Sequence, residues 1–165
     1  MGCDIHLMTE IKKDNKWELN EELLFIDDYS KSDSPFDRRS YRIFAFLADV
    51  RQRDNFKITP ISEPKGLPKD SEYLNTPLEK PENYSYYGYD NGTAYTKEGQ
   101  IECDVDCHSL TYLTLKELLD FDYEQKATET ETYREYLMEG YFEELEILKT
   151  LGEPENVRIV FWFDN

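Results

Sequence analysis

Apolar and polar residues alternate from Cys3 to Ile11. Cys3, Ile5, Leu7, Thr9 and Ile11 fall on one side and Asp4, His6, Met8 and Glu10 on the other, which predicts a strand. Asp14-Asn15 makes a turn into a second strand through Trp17 and Leu19, and the apolar patch Leu23-Leu24-Phe25-Ile26 follows. Residues 27–37 are polar and read as a loop. Ser40 is placed to cap a helix from Tyr41 to Arg53, whose apolar stripe is Ile43, Phe44, Leu47, Ala48 and Val50. Asp49 interrupts that stripe, with Arg53 four residues on as its expected partner. Five of the seven prolines lie in residues 57–82, so neither a long helix nor a central strand fits there.

Beyond the prolines, Asp90-Asn91-Gly92 predicts a hairpin between tyrosine-rich strands, and Gly99 a turn into a segment ending at Cys107. Alternation returns there, with Ile101, Cys103, Val105 and Cys107 facing one way and Glu102, Asp104, Asp106 and His108 the other. Thr114-Leu-Lys-Glu117 is a capping box for a short helix ending near Phe121. Tyr133, Leu137, Tyr141, Leu145 and Leu148 recur at helical spacing, which predicts a long helix over 131–151 that Gly152 and Pro154 stop. The closing VRIVFWF is apolar enough for the middle of a sheet. The pattern predicts an α+β fold, a mixed or antiparallel sheet with about three helices packed on it. One domain over 1–165 is expected, carrying a Pro/Tyr-rich loop and hairpin insert at 57–100.

Both histidines and all three cysteines lie in two short segments, MGCDIHL and CDVDCHS, and each segment contains an Asp-x-His tripeptide. If both are strands, Asp4, His6, Asp106 and His108 lie on polar faces, while the cysteines turn inward as reduced core residues. Two Asp-x-His pairs on neighbouring strands would supply a ligand set for Zn, Mn or Fe, or general acid–base groups without metal. The competing reading is two separate solvated Asp–His pairs. The spacing of Cys103 and Cys107 does not match a structural zinc site.

Five of the seven arginines, 38, 39, 42, 51 and 53, surround the first helix. Arg39 and Arg42 are the better-placed pair for a phosphate, with Tyr41 between them; salt bridging to the abundant acids is the alternative. Tyr84, Tyr86, Tyr87, Tyr89 and Tyr95 crowd one hairpin, where Tyr87 and Tyr89 could stack on a nucleobase or fill a satellite core.

Charge narrows the classes. With 36 acidic residues against 19 Lys and Arg, the net charge of −17 argues against general attraction to nucleic acid or anionic membrane. No apolar run approaches the ~20 residues of a membrane span, and no secretory signal is evident, so a soluble, cytoplasmic protein is expected, free to form a homo-oligomer.

The blocks MGCDIHL, RRSYRIFAFLADVR, Gly66-Leu67-Pro68, His108-Ser109 leading to LTLKEL, and VRIVFWFDN resemble a family of short phage and prophage proteins that begin Met-Gly-Cys-Asp-Ile-His. The resemblance implies a phage-borne accessory protein made in the bacterial cytoplasm, and by analogy one that acts on host metabolism or counters defence signalling. Joined to the residues above, it gives two expectations. The first is a metal-assisted hydrolase of a nucleotide-like phosphorylated small molecule, with Asp4, His6, Asp106 and His108 holding a divalent metal. The second is a non-catalytic protein that sequesters a nucleotide immune signal.

Overall fold

The computed structural model describes residues 2–26, 30–53, 57–72, 93–96, 99–102 and 107–165. The expected Asp90-Asn91-Gly92 turn, Tyr87, Tyr89, Cys103 and Asp106 lie outside the described residues.

The main sheet grows from the predicted alternation. Strand β1 (Asp4–Lys13) turns at Asp14-Asn15 into β2 (Lys16–Leu19). Both turn residues have positive φ, 49° and 64°, the left-handed pair that a two-residue hairpin needs and that Asp and Asn tolerate. A small ribbon, β3 (Phe25–Ile26) with β4 (Lys31–Ser32), leads to helix α1 (Tyr41–Ala48). A second ribbon pairs β5 (Thr93–Thr96) with β6 (Gly99–Glu102). Strand β7 (His108–Thr114) then runs straight into helix α2 (Leu115–Asp120), followed by α3 (Tyr133–Leu137), α4 (Glu139–Leu148), a 3-10 turn (Pro154–Asn156) and strand β8 (Val157–Asp164).

The four-stranded sheet is antiparallel, in the order β2-β1-β8-β7, so the last strand of the chain enters beside the first. On the inner face Ile5, Val157, Ile159, Phe161, Phe163 and Leu113 pack with α1 and the later helices into the main core. On the outer face Met8, Val160 and Trp162 form a second cluster with Leu19, Leu67, Leu110 and Tyr112. Covering on both faces explains why β8 reads as a continuous apolar run and is buried from Val157 to Phe163.

Segment 57–72 crosses as a strap without a long helix or strand, as its prolines require. Its backbone is tied to β7, Gly66 N–H donating to Leu110 C=O at 2.9 Å and Lys65 N–H to Thr111 Oγ1 at 3.0 Å.

Two expectations need correcting. Helix α1 ends at Ala48, five residues early, because Asp49 takes a left-handed conformation (φ 62°) and closes the helix; its carboxylate accepts from Gln52. The helix expected over 131–151 is two helices, broken at Met138 (φ 67°, ψ 167°), although Tyr133, Leu137, Tyr141, Leu145 and Leu148 are all buried as their spacing predicts. That break gives four α-helices among the described residues. It also lets buried Glu144 of α4 accept from Phe36 N–H at 2.7 Å and from Arg38 at 3.0 Å, tying the loop before α1 to the helical layer.

The predicted capping box at α2 is complete: Glu117 N–H donates to Thr114 Oγ1, and Thr114 N–H to Glu117 Oε2. Thr132 and Glu135 build a second at α3. Thr114→Ala is expected to cost about 1 kcal/mol, read as a lower urea midpoint at unchanged slope.

Candidate functional site

The opening GCDIH places each side chain differently. Arg39, just before α1, lies so close over Gly2 that a Cβ there would stand 2.6 Å from its guanidinium. Its Nε and Nη2 donate to the two Asp4 carboxylate oxygens at 2.7 and 2.6 Å, a bidentate pair with both side chains about half exposed. Arg51, just after α1, donates to Gly2 C=O at 2.9 Å and to Asn165 Oδ1 at 2.7 Å, drawing both chain ends to the same place. Cys3 is buried as predicted; burial pushes its thiol up from the ordinary value, against an opposing hydrogen bond from Arg51. Hydrogen bonding to Asp4, and the carboxylate's charge, hold Arg39 above its own ordinary value.

His6 has its carboxylate partner on another strand. Its Nε2 stands 2.7 Å from Asp164 Oδ2, and its ring stacks on Trp162 with centroids 5.7 Å apart and planes 11° from parallel. Strand register explains the pairing: His6 opposes Trp162 and Asp4 opposes Asp164, so all four side chains share the outer face at one end of β1 and β8. Two carboxylates directly opposed repel one another. Here each has a partner, Arg39 for Asp4 and His6 for Asp164. With His6 42% and Asp164 25% exposed, the pair is held in place yet open to solvent.

His108 does not join them. It opposes Phe163, stacks on that core ring at 6.0 Å, and so lies on the inner face, across the sheet from His6. Its Nδ1 is 3.0 Å from Ser109 Oγ, and its Nε2 is buried without a hydrogen-bond partner among the described residues. A bulge follows, with Ser109 at φ 53°, which inserts one residue and resets the alternation along β7. Asp4 and His6 therefore come together, while His108 stands apart, contrary to the expected common cleft; Asp106 is outside the described residues. Among the described residues, no three His, Cys, Asp or Glu side chains group as metal ligands. The expectation of three reduced cysteines is also corrected, since Cys107 is disulfide-bonded while Cys3 is free.

Arg39 and Arg42 turn to different elements. Arg42 donates to Glu131 at 3.2 Å and to Tyr136 C=O at 2.9 Å, and lies 4.8 Å from the Tyr136 ring. Tyr41 is half-buried against the main core, 5.8 Å from Phe44. The salt-bridging alternative accounts for Arg38, Arg42 and Arg39 alike, paired with Glu144, Glu131 and Asp4; of the three, Arg39 is the one whose carboxylate partner lies at the His6 end of β1.

Sequence reasoning missed Asp164 and Trp162. Alternation in VRIVFWFD puts both on one face, but which strand lies beside β1 is a long-range fact. It also missed a buried pair farther along the same face, where Arg158 Nε donates to Glu10 at 2.6 Å and Arg158 Nη1 to Asp70 of the strap at 2.7 Å. Burial alone would raise the Asp70 carboxyl, but the hydrogen bond and charge of Arg158 outweigh it and hold Asp70 below the usual carboxylate range.

No family model, curated protein or solved structure matches this chain. No described helix is long and apolar enough to cross a membrane.

Proposed function

We propose that the protein acts on a nucleotide-like phosphorylated small molecule at the His6 end of the sheet, with His6 as the acid–base group of a phosphoester hydrolysis. The observation that carries this reading is the half-exposed His6–Asp164 pair at 2.7 Å, seated on Trp162. With Nε2–H donated to Asp164, the imidazole keeps its lone pair at Nδ1. That atom takes the proton of a water attacking phosphorus and returns it to the leaving oxygen. Asp164 holds the tautomer and balances the imidazolium, and Trp162 fixes the ring plane. Arg39 offers a planar fork to the phosphoryl oxygens. The resemblance to phage accessory proteins supplies the setting, a bacterial cytoplasm and a nucleotide defence signal as target.

The test is product analysis. Purified protein is incubated with a panel of nucleoside phosphates and cyclic nucleotides, then denatured, and the small molecules are identified by mass spectrometry. Altered ligand is expected, and His6→Ala should lower turnover by about 10²–10⁴-fold while leaving most of the binding. Intact ligand recovered from a protein that binds it would replace this reading with sequestration.

A further inference from the structure

We infer that Asp4 is an internal stand-in for phosphate: its carboxylate occupies Arg39 in the free protein, and the phosphate of an incoming ligand displaces it. This rests on the reading of the His6 end as the functional site, and adds a competitor built into the chain. A carboxylate and a phosphate present the same pair of oxygens to a guanidinium fork, and Asp4 uses both of its own, at 2.7 and 2.6 Å.

The seat of the guanidinium is built. Gly2 beneath it has no side chain, and an added Cβ would meet Arg39 Nη1 at 2.6 Å and Cζ at 2.9 Å. Arg39 is thereby settled over the backbone, and the Asp4 it holds stands directly opposite Asp164 and two residues from His6 on the same face.

The lock is weak. Both partners are about half exposed, 52% and 53%, and such ion pairs are worth little in water. Asp4 also stands in register with Asp164, a like charge that favours its departure from the strand end. An exposed arginine left unpaired is open to any anion, whereas one covered by a tethered carboxylate yields only to a ligand that brings further contacts.

Inorganic pyrophosphate is the probe, titrated calorimetrically at fixed ionic strength into the wild type and four variants. Asp4→Asn should bind it about three- to tenfold more tightly. Adding Arg39→Ala to Asp4→Asn should remove that gain, and Gly2→Ala, which crowds the guanidinium without touching the core, should weaken binding relative to wild type. Asp120→Asn, a distant exposed change of the same charge, should leave affinity unchanged. Asp4→Asn binding no better than wild type, the gain surviving Arg39→Ala, or an equal gain from Asp120→Asn would each overturn the inference. Gly2→Ala carries the test should Asp4→Asn not fold, and wild-type affinity in it would then count against the proposal. Because every readout is binding, failure here is distinct from failure of the hydrolase reading, which is judged by turnover in His6→Ala.

Discussion

Glu10→Ala is expected to destabilise the protein by about 3–5 kcal/mol, because it removes the buried partner of Arg158 and leaves that guanidinium to a largely exposed carboxylate. Glu10 and Arg158 are 0% and 3% exposed, and Glu10 accepts from Arg158 on one oxygen and from Ser71 on the other. The Arg158 guanidinium also lies 4.0 Å from the Trp17 ring and 5.5 Å from Tyr112, and its Nη2 has no hydrogen-bond partner among the described residues. Without Glu10, the hydrogen-bonded charge remaining to it is Asp70, whose side chain is 66% exposed. Urea denaturation should show a lower midpoint, and replacing both Glu10 and Arg158 with apolar residues should recover much of the loss. A loss below about 1 kcal/mol would mean that water already reaches the pair.

Acid should loosen the strap that this pair anchors. Asp70 and Glu117 are both held below the usual carboxylate range; for Glu117 the Lys65 and Thr114 hydrogen bonds overcome burial. A depressed folded-state pKa means stability that is present above the unfolded value and lost as pH falls through the folded one.

The second large effect is at alkaline pH. Tyr123 and Tyr141 share a buried hydroxyl contact at 2.9 Å, and Tyr123 donates to Leu118 C=O at 2.7 Å. Burial pushes the Tyr123 phenol up to about 12, and raises Tyr141 well above its ordinary value. Both groups resist ionisation when folded and ionise near pH 10 when unfolded, so their contribution is intact below pH 10 and is lost as pH rises. For Tyr123 alone the loss amounts to about 2 kcal/mol by pH 12, with Tyr141 adding in the same direction. Absorbance at 295 nm, followed against circular dichroism, should show a late group of tyrosines that ionise only as the fold is lost. Tyr141→Phe should shift that unfolding to higher pH. Ionisation of every tyrosine near pH 10 with the fold intact would contradict the burial argument.

Local periodicity carried most of the secondary structure. Alternation in β1 put Cys3 and Ile5 in the core and His6 outward; helical spacing picked the buried residues of α3 and α4; Thr114 and Glu117 announced their capping box. Each is legible because neighbours within four residues decide it. The break at Met138 was not, since no proline or cap marks it and the loop contacts of Glu144 and Arg38 are tertiary.

By itself the sequence determined an α+β chain with an apolar final strand, a buried Cys3, and an Asp-x-His tripeptide whose polar side faces outward. Tertiary structure alone decided what that tripeptide meets. Placing β8 between β1 and β7 paired His6 with Asp164, gave Asp4 to Arg39, and set His108 on the opposite face, because side chains in neighbouring strands share a face only in register, and register across 150 residues is set by the packing of the whole sheet.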